Sequence, residues 1–306
     1  MPITHFTVFG ERCSGTNHAV TWLEKNTGLR HRSDLAWKHG MIPTDRLRKD
    51  RNTLCVVVAR NLPDWLRSLH IKPHHLSPKM RGLTLHEFAT RRVESMLDHT
   101  MGVSPHDRRF GEPLPGEQHQ GKPYANVIRM RRHKYRQWLK DMGRLHHAVL
   151  LRHEDLVWHP EAAYASLQQV CPLPERTAFE RVDTYKGATL AVTYKPKVYA
   201  PLSAETVRHV LEQMDPAVET QLGYDSATDV QAAAMSATTP DTALLRTTLD
   251  GHPAALAALE AMETKLREQQ SLLLHADAQR ESLRRYLHTL THAITSTRRR
   301  FAFWRW

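Results

Sequence analysis

A chain of 306 residues with net charge +11 and 21 histidines has room for one domain of roughly 200 to 250 residues plus an appendage. Its 41% apolar content suffices for a core, yet no apolar run approaches the roughly 18 residues of a membrane span. The charge favours anionic ligands, but zinc-finger spacing, a ribonucleoprotein aromatic motif and a basic zipper are all missing, which argues against nucleic acid.

The apolar, β-rich run Ile3–Phe9 predicts the first strand and leaves no space for a signal peptide. Cys13, Cys55 and Cys171 show no pairing pattern, so a reducing cytoplasm is expected. The strand empties into Gly10-Glu-Arg-Cys-Ser-Gly15, and a helix begins at once over 16–26. That order suits a phosphate cradle: glycine lets the backbone turn close to an anion, and the free N–H groups of the helix's first turn point at it. The glycine spacing matches the nucleotide P-loop, but Thr16-Asn17 stands where Lys-Ser/Thr should follow, which counts against ordinary ATP or GTP hydrolysis.

Leu54–Ala59 is continuously apolar and β-branched, as in a strand buried on both faces of a parallel sheet. Asn61 then reads as an N-cap with Pro63 in the first turn of a helix. Further helices are expected over 84–99, 126–141, from Pro160 and over 203–214, with a strand at His147–Leu151 and a long surface loop over 102–124. Strands separated by helices imply an α/β fold with a doubly wound parallel sheet over residues 1–225, whose ligands sit at the carboxyl ends of the strands.

Residues 226–253, rich in Ala, Thr, Ser and Asp, read as a linker. The segment 254–297 reads as a coiled-coil helix whose seam, in steps of three and four from Leu259 to Ile294, is apolar except at Gln269 and Arg280. Such a seam implies a homo-oligomer through 259–294, or a single amphipathic helix packed on the main domain. The tail 298–306 mixes four Arg with Phe301, Phe303, Trp304 and Trp306. It suits peripheral contact with the anionic inner face of a membrane, or a disordered basic end.

Three segments combine: Arg12-Cys-Ser-Gly-Thr-Asn17, Trp37-Lys38-His39-Gly40, and Val57 through Arg60 to Ser68. Together they resemble the sulfotransferase family, which moves a sulfuryl group from 3′-phosphoadenosine 5′-phosphosulfate (PAPS) to a hydroxyl or amine and releases the 3′,5′-bisphosphate (PAP). Ser14-Gly15-Thr16 match the S-G-T of the family's P-K-S-G-T-T loop, which cradles the phosphosulfate. Arg60 and Ser68 fit its V-x-R-N-[PA]-x-D strand end with a serine eight residues on, a pair that binds the 3′-phosphate. Lys38-His39, 21 residues before Arg60, is the counterpart of K-T-H-L-P, whose histidine is the catalytic base. Leu151–Asp155 resembles L-x-Y-E-D, and Tyr185-Lys186-Gly187 resembles R-K-G, a second 3′-phosphate contact.

The resemblance covers residues 3 to about 224. It implies cofactor contacts by Arg12, Cys13, Ser14, Gly15, Thr16, Asn17, Arg60, Ser68, Lys186 and Gly187, catalysis by His39 with Lys38 and Arg12, and no required metal. Two departures stand out. The family's loop cation is here Cys13, so either Arg12 or Lys38 meets the sulfonate, and Tyr185 replaces the family arginine.

Each residue also has a structural reading: His39 a surface histidine, Ser68 a helix residue, Glu154-Asp155 a cap, and the 129–134 charges a solvated face. His70, His74 and His75 invite a zinc reading, but Pro73 interrupts their helical spacing, and they suit the acceptor cleft better. The acceptor, whether small molecule, glycan or lipid, is not encoded in any readable motif. A P-loop kinase-type enzyme and a non-catalytic coiled-coil scaffold are the rival readings.

Overall fold

The computed structural model describes residues 2–235, except 99–102, several positions between 105 and 121, 172, 174–177 and 185–196. The chain divides into Met1–Ala237 and Thr238–Trp306. The expected coiled coil over 254–297 and the 298–306 tail lie outside the described residues, as do Lys186 and Gly187.

Four parallel strands form the central sheet: β1 (His5–Gly10), β2 (Arg30–His31), β3 (Thr53–Ala59) and, after the short antiparallel pair β4 (Gln118–His119) and β5 (Lys122–Pro123), β6 (Ala148–Arg152). The helices are α1 (Thr16–Thr27), α2 (Thr44–Lys49), α3 (Leu62–Ile71), α4 (Leu85–Thr90) and α5 (Val127–Met142). After β6 come α6 (His153–Trp158), α7 (Pro160–Val170), α8 (Ala204–Gln213), α9 (Pro216–Gln221) and α10 (Ser226–Met235).

The sheet order is β2-β1-β3-β6. β1 pairs β3 from His5 opposite Thr53 to Gly10 opposite Val58, and β3 pairs β6 from Cys55 opposite Ala148 to Ala59 opposite Arg152. Every residue of β3 is buried, so its sequence shows no alternation. On one face Phe6, Val56 and Val58 pack with Trp22 and Leu23 of α1 and Leu167 of α7. On the other, Phe9, Val57 and Ala59 pack with Tyr135 and Trp138 of α5 and Leu222. Helices therefore cover both faces, and β1 lies between strands on either side, with the loops after β1 and β3 opening at the same end. That is where a doubly wound sheet leaves a crevice.

Three expectations change. The helix expected over 84–99 stops at Thr90. A capping box between Thr84 and Glu87 starts it. Beyond it the backbone pairs elsewhere: Val93 N–H donates to the Tyr124 carbonyl (2.9 Å), Met96 N–H to that of His75 (2.9 Å), and Ser77 N–H to that of Glu94 (2.8 Å). Partners from another segment took the donors that a helix would have used. The linker expected from 226 begins instead as α10, which buries Val230 and Ala233 against α3 and α8. Its small residues resemble a linker in composition, yet they let the helix sit close. Within 102–124, Val103, Leu114 and Tyr124 are buried, so the stretch is not wholly a surface loop.

Candidate functional site

Loop 10–15 turns on two glycines for different reasons. A Cβ on Gly10 would stand 2.6 Å from the Val58 carbonyl oxygen and 2.9 Å from Ser14 Oγ, so close strand packing excludes one. Gly15 has φ +91°, and a Cβ there would collide with the His153 ring. Ser14, expected at the phosphosulfate, is fully buried. Its hydroxyl donates to the Glu11 carbonyl (2.6 Å) and closes the loop on itself. Cys13 sits at φ +64°, its Sγ 3.6 Å from the carbonyl oxygens of Ser68 and Lys72. Burial pushes its thiol pKa up, so Cys13 is a loop residue and not a reactive thiolate.

Beneath the loop lie fully buried charges that the sequence does not announce. The Glu11 carboxylate pairs with Lys134 Nζ of α5 and stands 3.5 Å from Arg12 Nε. Arg131 pairs with Glu219 at 2.9 Å and donates to the Arg60 carbonyl (2.9 Å). Trp65 Nε1–H donates to the Arg12 carbonyl (2.9 Å), and Tyr135 Oη–H to that of Val58 (2.9 Å). The loop is thus fastened from below by groups 47 to 123 residues away in sequence, Arg60 and Lys134 among them.

Arg12 is corrected by this arrangement. Its guanidinium is 1% exposed and faces Glu11, the His74 carbonyl and Ser95 Oγ (each 3.4 Å), and Met130 Sδ (3.1 Å). It ties the loop to the 74–95 segment instead of reaching out to a sulfonate. The cation that meets the loop's outer side is Lys38, whose Nζ donates to Asn17 Oδ1 in the first turn of α1.

A cavity of about 660 Å³ opens at the carboxyl ends of β1 and β3. It brings together Arg12, Cys13, Gly15, Thr16 and Asn17 with Lys38, His39, Arg60 and Ser68, as the sequence pattern required. Arg60 donates to the Cys13 carbonyl (3.3 Å) and to Tyr199 Oη (3.2 Å). The His39 ring, 7% exposed, donates from Nδ1 to the Gly10 carbonyl (2.6 Å). A carbonyl only accepts, so the proton is on Nδ1 and the lone pair on Nε2. Burial first, then the cations Lys38, Arg12 and Lys134, holds its pKa well below the ordinary imidazole range.

The walls add His18 and Lys72, which no motif marked, with Trp37 and His153 from within the motif segments and His74 and His75 from the histidine cluster. Burial first, then Arg60 and His18, lowers the His153 pKa to about 3. Burial also lowers that of His18, whose Nε2 makes no hydrogen bond. His18 and His153 are therefore neutral at pH 7 and act as dipoles and aromatic walls.

Among the described residues the cavity is lined by five Lys/Arg, six His and no carboxylate. α1 opens into it without a side-chain cap or an acidic residue in its first turn. Helix N–H groups, a positive helix end and surrounding cations can hold a multiply charged phosphate-type anion.

The three histidines of the zinc reading do not converge on one point. His70 Nε2 bonds to the Leu83 carbonyl (2.7 Å) and His75 to Asp98, and no described cluster of His, Cys, Asp and Glu could hold a metal ion. Glu154 is a structural cap, accepting from Asn61 N–H (3.0 Å) and Tyr224 Oη–H (2.7 Å). Among the described residues no helix is long and apolar enough to cross a membrane.

Fold and cavity together define an α/β protein with a parallel four-stranded sheet, compatible with a P-loop-like nucleotide fold. Comparison with models of protein families, with curated proteins and with solved structures finds no match.

Proposed function

We propose that the chain is a PAPS-dependent sulfotransferase. One observation carries the reading: an uncapped helix start opens into a cavity with Lys38, Arg60 and Lys72 on its walls and no lining carboxylate, where loop, Lys38, His39, Arg60 and Ser68 meet. Sulfuryl transfer leaves charge on the bridging oxygen and the departing phosphate, which preorganised donors must stabilise.

In this reading the N–H groups of the loop and of the first turn of α1 hold the 5′-phosphosulfate. Lys38 faces the bridging oxygen, and Arg60 with Ser68 holds the 3′-phosphate. PAPS supplies the activated sulfuryl group; the protein supplies position and charge. A neutral imidazole must take the acceptor's proton, and the resemblance puts His39 in that role. Lys186 and Gly187 complete the 3′-phosphate site, and the 259–294 seam makes the enzyme an oligomer.

The test is incubation with sulfur-labelled PAPS, without added metal, against phenols, amines, glycans and lipids. Label in an acceptor, lost in Arg60→Ala, is the expected result. PAPS left intact, with no PAP formed, would contradict the proposal. A kinase-type reading would be revived by magnesium-dependent ATP turnover.

A further inference from the structure

His39 meets one requirement of a base and misses another. It is neutral, but its protonated form would stand buried beside Lys38, Arg12 and Lys134 with a carbonyl as its nearest partner. A second histidine of the same cavity has the opposite setting. His75 Nδ1 lies 3.1 Å from Asp98 Oδ1, and both residues are more than nine-tenths buried. Since the carboxylate accepts, the Nδ1 proton faces Asp98 and the lone pair is on Nε2, on a ring that lines the cavity.

The pair is held from several sides. Asp98 Oδ2 also accepts from the His75 backbone N–H (3.2 Å). That second bond braces His75 at φ +58°, a left-handed conformation costly for a residue with a side chain. Pairing of Leu76 with Ser95, and of Met96 N–H with the His75 carbonyl, aligns the two segments. Arg12 bonds to the His74 carbonyl and Ser95 Oγ and so ties this unit to the phosphate loop. The His75 ring centroid is 6.3 Å from that of His39, and Trp37 packs edge-on against both, at 5.5 and 5.3 Å.

We propose that His75, oriented by Asp98, takes the acceptor's proton in the sulfuryl transfer, and that His39 instead holds the Gly10 end of the loop. The inference rests on the sulfotransferase reading. The acceptor's O–H or N–H bond breaks and its proton goes to His75 Nε2, while the freed electron pair forms the bond to sulfur. The bond from sulfur to the 5′-phosphate oxygen breaks, and its electrons stay on the phosphate of PAP. Asp98 keeps the ring's tautomer and stabilises the imidazolium, the part a carboxylate plays behind a catalytic histidine.

Water serves as the probe acceptor, with sulfate release from labelled PAPS as the rate and PAP calorimetry as the control for the site. His75→Asn, a residue that tolerates left-handed backbone, is expected to slow release by about 100-fold or more. PAP affinity should stay within about threefold of the wild type, since other groups carry the nucleotide. Asp98→Asn should lose about tenfold and move the acid limb of the pH–rate profile lower, because the imidazolium loses its counter-charge. His39→Gln should lose less than His75→Asn.

Release within twofold of wild type in His75→Asn, with PAP still bound, would overturn the dyad and leave the sulfotransferase reading standing. A larger loss in His39→Gln than in His75→Asn would do the same. PAP binding without any sulfate release by the wild type would also overturn it, since a base beside the phosphosulfate must activate water. A wild-type protein that binds no PAP would overturn both readings.

Discussion

Two cavities share helix α3, and their charges are handled in opposite ways. The cavity at the helix start, about 570 Å³, is lined by Asp64, Glu154, Asp155, Asp225 and Asp229 with Arg67 and Arg152. Four of these five acids are engaged by neighbouring groups. Asp155 pairs with Arg152 (2.7 Å), Asp64 with Arg67 (3.3 Å), Glu154 accepts from Asn61 and Tyr224, and Asp225 accepts from Thr228 (2.7 Å). The cavity past the other end of α3, which contributes Ser68, has cations and histidines on its walls and no carboxylate among the described lining residues. In the first cavity acids and their partners line the same walls; in the second, the carboxylates that pair with Arg12 and Arg32 stand outside the lining. Charge alone does not mark a site; the location of its counter-charge does.

Removing a counter-charge from beneath the second cavity should have the largest effect. Glu11→Ala leaves Lys134 and Arg12 buried without their carboxylate and should cost about 3–5 kcal/mol, read from urea unfolding. A loss below about 1 kcal/mol would mean that the loop does not depend on this buried pair. Next comes Arg60→Ala, expected to weaken PAP by about 30- to 100-fold, the worth of a charge-assisted contact, in calorimetry. On the acidic side Glu154→Gln keeps one acceptor oxygen. It should cost about 1 kcal/mol of stability and leave PAP affinity unchanged; a drop in affinity would erase the distinction between the two cavities.

The histidines sharpen the contrast through pH. His39 and His153 have folded-state pKa values depressed below the ordinary 6.5, that of His153 to about 3. Above pH 6.5 both folded and unfolded chains hold them neutral, so they add no pH dependence. Between about 6.5 and 3 the unfolded chain takes up protons that the folded chain refuses, so stability falls as pH falls through that window. His153→Phe should flatten part of that decline in urea unfolding measured at neutral and mildly acidic pH; an unchanged slope would contradict the burial argument.

What was legible in the sequence follows from the range of the interactions. β3 and β6 declare themselves as apolar runs, α3 by the Asn61 cap and Pro63, and the turn after β1 by Gly10 and Gly15, because each signal is local. The gathering of Lys38, His39, Arg60 and Ser68 in one cavity is what the family resemblance implied. The rest depends on distant partners. β2 is two residues held by pairing to β1, and α10 hides in linker-like composition. Arg12 reads as a loop cation, but Glu11, Ser95 and Met130 draw it inward. Asp98 reads as part of a helix, and only the pairing of 75–77 with 94–96 sets it against His75.

The central claim is that the carboxylate-free cavity is built for a nucleotide carrying a 3′-phosphate. The most direct measurement is calorimetric titration of the purified chain with PAP, in the absence of magnesium, beside an identical titration with ATP. The account predicts PAP binding without metal, at least about tenfold tighter than ATP, since a lost phosphate contact is worth 1.4 kcal/mol or more. No PAP binding, or tighter binding of ATP with magnesium, would contradict it.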